Sequence, residues 1–231
     1  MDTGPLILGL LCAAPFVLAA VLIPVQLAAE RKRREARMRW AHLHGWRYEE
    51  RPRTMWTTRM PGANARGVRW MVTGMVRDRW VSVAHYYYQT SSTDSNGSTS
   101  TTTHNFIAAV VQLRTPHPPI GVVTRGLLSQ MGRSLFGDKP TATGNPVFDS
   151  RFRVIARDPY WAHQLIGRPL IDAHLANLVP QWTIDGNQLL AHYPGKLVHP
   201  EAMGPYVDPL LRVADLLGTG IEPWVMVPPR N

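Results

Sequence analysis

The sequence predicts an α+β fold, with one N-terminal transmembrane helix followed by a cytoplasmic domain built on a mainly antiparallel sheet and a few helices. Three observations carry that expectation. Residues 3–29 hold no charged side chain, and 6–27 are almost wholly apolar. Runs rich in Val, Tyr and Thr, separated by turn signals, recur between residues 68 and 193. Helix-start signals such as Asp158-Pro159 stand among them.

Composition sets the limits. The chain has 231 residues, 25 Lys+Arg against 16 Asp+Glu, a net charge of +9, 45% hydrophobic residues and a single cysteine, Cys12. The apolar content suits a packed core and argues against a mostly disordered chain. One cysteine excludes an intrachain disulfide framework and a thiolate metal cluster. The charge is unevenly placed: residues 30–79 carry 14 basic and 5 acidic residues, whereas 80–231 carry 11 and 10. A nucleic-acid partner is therefore not expected, because the excess is confined to one stretch.

The first element is the apolar segment. A helix needs roughly 20 apolar residues to cross a hydrocarbon core, and this run meets that length. Its n-region carries Asp2 and no Lys or Arg, which fits a cleaved signal poorly. An uncleaved anchor over 1–29 is the expectation, with Pro15 predicting a kink and Gly9, Ala13 and Ala20 as small residues that let another helix approach.

A basic juxtamembrane helix over 30–45 comes next. Arg31, Lys32, Arg33, Arg34, Arg37 and Arg39 follow the apolar run directly. The positive-inside rule then places the N-terminus outside and the rest in the cytoplasm of a bacterial plasma membrane. Glu30–Arg34 and Glu35–Arg39 have helix-stabilising i,i+4 spacing, and Gly45 suits a C-cap. These cations beside an anionic leaflet, with Trp40 near the headgroups, predict contact with anionic lipids.

The domain over 46–218 starts with a strand at Val68–Val76 that turns at Arg77-Asp78. A hairpin centred on Asn96-Gly97 follows, and a two-residue type I′ loop there pairs Tyr87 with Phe106, Val83 with Val110 and Ala84 with Ala109. Its tip, 90–103, is wholly polar or Gly. Pro116, Pro118 and Pro119 interrupt the sheet before a short strand at 120–124. Residues 127–136 are weakly helical, and 138–146 form a turn-rich subdomain boundary. Then come a strand at Phe152–Ala156, a helix at 159–166 capped by Asp158, and a second helix at 170–179. Asp185-Gly186-Asn187 reads as the turn of another hairpin, and 200–217 as a closing helix. The tail, 219–231, contains Pro223, Pro228 and Pro229 and looks extended.

Several segments carry a resemblance: Gly45-Trp46-x-Tyr48, the SSTDSNGSTSTTTH run, GNPVFDSRFRV, DPYWAHQLI and WTIDGNQLL. Together they resemble a family of uncharacterised single-pass membrane proteins of high-GC Gram-positive bacteria, a domain of unknown function. The resemblance covers most of 1–218, with FDSRFRV as its most specific part. It implies a bacterial plasma-membrane protein and supplies neither an activity nor catalytic residues.

Motifs for chemistry are scarce. His42 and His44 are i,i+2 on a helix and point apart, HExxH is absent, and neither GxxxxGK[ST], GxGxxG nor GxSxG occurs. No cofactor and no metal is therefore expected. A catalytic alternative uses His85 and His104, which the expected register sets on one face with Gln89 and nearby hydroxyls. Without a fixed acid to orient them, two half-exposed strand histidines are the plainer account. Asp149, Arg151 and Arg153 form the remaining polar set, and surface ion pairs usually contribute little. The expected function is a non-catalytic accessory or scaffolding subunit of a plasma-membrane complex, respiratory or cell-envelope, partnered with other integral membrane subunits. A membrane-tethered hydrolase and an anionic-lipid or nucleic-acid binder are the alternatives.

Overall fold

In a computed structural model, the backbone is described for residues 4–124 and 140–220, and side chains for 24–124 and 141–220. The chain divides into two compact units, 1–45 and 46–231.

The first unit is a single helix, α1 (Gly4–Leu43), 40 residues long. Gly45 follows it at φ +70°, a left-handed conformation that suits glycine at a helix end. The expected transmembrane helix is corrected here. Among the described residues, no helix is long and apolar enough to cross a membrane. Helix α1 does not stop where the apolar run stops. Its described side chains, 24–43, include six basic and two acidic residues, a composition that hydrocarbon excludes. The side chains of Gly9, Ala13 and Ala20 lie outside the described residues.

The second unit is the expected α+β domain with a mainly antiparallel sheet. Its strands are β1 (Arg47–Glu50), β2 (Val68–Val76), β3 (Arg79–Thr93), β4 (Thr99–Thr124), β5 (Pro140–Thr141), β6 (Phe152–Ala156) and β7 (Trp182–Pro194). Every pairing is antiparallel, in the order β1-β2-β3-β4-β6-β5, with β7 also beside β4. Among the described residues it also has four short helices: α2 (Pro146–Arg151), α3 (Pro159–Leu165), α4 (Arg168–Leu175) and α5 (Gly204–Leu216). The expected segments at 127–136 and 222–231 lie outside the described residues.

Both faces of the sheet are covered. One face buries Met71, Ala84, Tyr86, Ala108, Val110 and Leu190 beneath Trp56 and Met60, which come from 3-10 turns at Met55–Arg59 and Pro61–Ala63. Tyr86 ties that roof down: its hydroxyl donates to Pro61 O at 2.8 Å and accepts from the Asn64 N–H at 2.7 Å. The opposite face carries Val81, Val83, Ala109, Val111 and Leu189, all buried. Helix α5 packs against β4 and β7 with Val207, Leu210, Leu211 and Val213 buried.

Turn geometry departs from expectation at two places. The Asn96-Gly97 loop is longer by one residue than a two-residue turn: Asp94 N–H donates to Ser98 O at 3.0 Å, and Gly97 sits at φ +79°. The Asp94 carboxylate accepts the N–H groups of Asn96 and Ser98, at 3.0 and 2.8 Å, and selects this three-residue loop. The register moves with it, so Tyr87 lies opposite Asn105, Tyr86 opposite Phe106 and Val83 opposite Ala109. The expected turn at Arg77-Asp78 is present as a two-residue turn, with φ of +48° and +57° and Val76 opposite Arg79. Asp185-Gly186-Asn187 is no hairpin turn. Gly186, at φ +59°, bends β7 opposite His117, so that β7 follows the bend imposed on β4 by its prolines.

The helix signals fare better. Asp158 caps α3 by accepting from Tyr160 N–H at 2.9 Å, with Pro159 in the first turn. Helix α4 ends at Leu175, short of 179, because Asn177 turns left-handed at φ +55°. Pro200–Met203 is a 3-10 turn, and α5 starts only at Gly204 with Pro205 in its first turn.

Candidate functional site

The basic residues expected at the surface are on α1. Arg31, Lys32, Arg33, Arg34 and Arg39 are exposed, and at 100° per residue they point to all sides of the helix. Glu30 holds Arg33 at 3.9 Å and Arg37 at 3.3 Å. Residues 30–39 thus keep six basic groups against two acids. Trp40 is half-buried and stacks on His44 with ring centroids 4.5 Å apart.

His85 and His104 do not come together. With Tyr88 opposite His104 and His85 opposite Ile107, the alternation of side chains sends the two imidazoles to opposite faces of the sheet. His85 Nε2 is 3.0 Å from Asn105 Oδ1. His104 stacks on Tyr88 at 4.7 Å and lies 3.0 Å from Thr90 Oγ1. Their expected common face with Gln89 depended on the two-residue loop, and a one-residue slip reverses a strand's faces. Beyond them, Ser91, Ser92 and Thr93 pair with Thr101, Ser100 and Thr99 through hydroxyl bonds of 3.0–3.2 Å.

The Asp149–Arg151 set is committed to the local fold. Asp149 accepts from the Thr143 N–H and hydroxyl, the latter at 2.9 Å. Arg151 donates to Leu175 O at 3.1 Å and Asn177 Oδ1 at 3.0 Å, closing the C-terminus of α4. Arg151 lines a cleft of about 450 Å³ together with Thr124, Phe152, Val179 and Gln181. A second cleft of about 250 Å³ holds Arg77 and Asp208, themselves paired at 3.4 Å.

Two buried polar groups were not singled out from the sequence. Arg59 is 2% exposed and donates to Thr183 O at 3.2 Å and to Gln188 O at 2.9 Å. Loss of hydration lowers its pKa to about 10, against the opposing pull of Asp185. His174 is fully enclosed by Phe148, Phe152 and Trp182, and burial lowers it to about 4. His192 moves to about 4 and the Tyr193 hydroxyl upward for the same reason. The only sequence signal for either buried site is position: Arg59 interrupts a Trp56–Met60 pair, and His174 lies in an otherwise apolar helix face. Arg59 and His174 sit inside packing and line none of the three clefts of about 250, 310 and 450 Å³, which marks them as structural. Among the described residues, no group of three or more His, Cys, Asp or Glu is placed to hold a metal.

No protein-family model matches the chain, and no curated protein matches it. A solved structure, the crystal structure of the mycobacterial trehalose monomycolate transport factor A, TtfA, overlaps 80% of this chain and 92% of that chain, at 16% identity and a TM-score of 0.45. An overlap of that quality transfers neither a role nor a ligand, and the site residues above rest on their own geometry.

Proposed function

We propose that this is a non-catalytic accessory protein that scaffolds a partner at an anionic lipid surface, with α1 as the surface-binding part. One observation carries the reading: the exposed cations Arg31, Lys32, Arg33, Arg34 and Arg39 are gathered on the one helix of the first compact unit. Cations on all sides of a helix suit a diffuse anionic surface better than a shaped ligand, because such attraction sums charge and needs no fixed geometry. Each Lys or Arg near an anionic leaflet contributes about 1 kcal/mol at low salt. The sheet domain then supplies a rigid body for the partner. The separation of His85 and His104 onto opposite faces supports a non-catalytic role for the hairpin.

The test is co-sedimentation of the full chain with phosphatidylglycerol-containing vesicles and with phosphatidylcholine vesicles. Substituting Arg31, Lys32, Arg33 and Arg34 together by Gln should weaken binding to the anionic vesicles at least tenfold and remove its salt dependence. Equal binding by the variant, or equal binding to neutral vesicles, would refute the reading. Isolation of the full chain with its associated proteins should yield a stoichiometric partner.

A further inference from the structure

A cleft of about 310 Å³ opens between the start of the first 3-10 turn and the chain leading into β2, lined by Arg53, Thr54, Met55, Ala65 and Arg66. The geometry points to a phosphate-binding site there, with the Arg53 and Arg66 guanidinium groups and the Thr54 hydroxyl as its donors.

Three features separate this cleft from the others. Arg53 and Arg66 are both exposed, and neither forms an ion pair among the described residues. The second cleft, by contrast, spends Arg77 on Asp208, and the cleft of about 450 Å³ spends Arg151 on the end of α4. Thr54 Oγ1 is enclosed and has no hydrogen-bond partner among the described residues, and rotation about its χ1 is what brings the hydroxyl to a phosphate in the cleft. An enclosed hydroxyl without a partner costs about 1–3 kcal/mol unless something bonds it. The walls are also fixed. Trp56 and Met60, buried in the core, hold the turn that follows Thr54. Asn64 fixes the other wall by accepting the Arg66 N–H at 3.1 Å and donating to Tyr87 O at 3.1 Å.

Two guanidinium forks and a hydroxyl match the oxygens of a phosphate, which accepts bidentate hydrogen bonds from each fork. The sulfur side chain of Met55, 86% exposed, gives the rim an apolar patch beside the cations. That combination fits a phosphate carrying a short apolar or glycerol group. Its source is either a lipid headgroup or a soluble phosphate ester. The site is independent of the α1 reading, since it uses no residue of that helix.

The experiment titrates the full chain with inorganic phosphate and with glycerol phosphate, by calorimetry and by amide shifts at residues 53–55 and 65–66. Binding is expected, with a loss of about tenfold or more in Arg53→Gln and in Arg66→Gln and a smaller loss in Thr54→Val. Arg212→Gln, which removes another exposed cation, should leave it unchanged. A second arm uses the chain with Arg31, Lys32, Arg33 and Arg34 changed to Gln, mixed with phosphatidylglycerol vesicles. Residual vesicle binding that needs Arg53 and Arg66 identifies a lipid headgroup; phosphate binding without it identifies a soluble ester. Absence of binding by either soluble probe and by vesicles overturns the site, as does binding that none of the three substitutions changes.

Discussion

The Trp182 indole N–H donates to His174 Nε2 at 3.0 Å, in a ring of aromatic side chains that leaves His174 no exposure. An accepting Nε2 places the proton of the neutral imidazole on Nδ1, which has no hydrogen-bond partner among the described residues. A second proton would put a charge in this apolar pocket, which is why burial holds the group near a pKa of about 4.

That bond sets a pH dependence. An unfolded histidine titrates near 6.5, so between about 6.5 and 4 the unfolded chain binds a proton that the folded chain refuses. The stability is whole above about pH 6.5 and declines as pH falls towards 4, by up to about 3 kcal/mol for this one group. Urea unfolding at about pH 7.5 and about pH 4.5 should show the loss. In His174→Phe the decline should be shallower, with His192 supplying the remaining slope in the same direction. An identical slope in the variant would remove His174 from the account.

Arg59 makes a second prediction. Its guanidinium bonds the carbonyls of Thr183 and Gln188, which lie on either side of the bend in β7. Arg59→Ala would strand two buried carbonyls and open a void, at a cost of about 3 kcal/mol. Arg59→Lys keeps the charge and loses the fork, so its cost should fall between the two. Equilibrium unfolding of the three proteins gives the order directly.

Glycine positions separate crowding from conformation. A Cβ at Gly67 would run into the Tyr86 ring and the Tyr87 carbonyl, against a backbone that cannot move aside. Gly67→Ala should therefore cost about 1–3 kcal/mol or shift β2 against β3. Gly97, at φ +79°, meets open space, so Gly97→Ala carries only the left-handed penalty of about 1–2 kcal/mol. Thermal unfolding should show the first as a global loss. Amide exchange should show the second confined to the hairpin tip.

Asp94 tests the register. Asp94→Ala removes the acceptor of two loop N–H groups and should loosen the loop by about 1 kcal/mol. Amide exchange should rise at Thr93 and Thr99 while Val83 and Ala109 stay protected. If the hairpin instead shifted to the two-residue loop, Tyr87 would move opposite Phe106, and cross-strand nuclear Overhauser contacts would report it.

Much of the architecture was legible because it is written locally. The strand at Val68–Val76, the strand at Phe152–Ala156 and the Asp158-Pro159 helix start depend on alternation, branching and capping within a few residues. The apolar run at the N-terminus was equally visible, but its reading as a membrane span is corrected, because among the described residues no helix is long and apolar enough to cross a membrane; the continuation of helix into the basic stretch, to Leu43, was legible. The basic stretch of α1 was legible, whereas the cleft between Arg53 and Arg66 was not. Arg53 and Arg66 are thirteen positions apart in sequence, and nothing near either one announces the other.

What the sequence by itself determined is the strands at Val68–Val76 and Phe152–Ala156, the Asp158-Pro159 helix start, the absence of the familiar catalytic motifs and the placement of the basic stretch. What only the tertiary structure decided is relative position. The carboxylate of Asp94, outbidding the turn preference of Asn96-Gly97, chose the register that sends His85 and His104 to opposite faces. Gly186 became a bend and not a turn because β4 bends beside it. Local propensity is worth tenths of a kcal/mol per residue, whereas burial and a shared hydrogen bond are worth one or more, so long-range partners settle every case the local signal leaves nearly balanced.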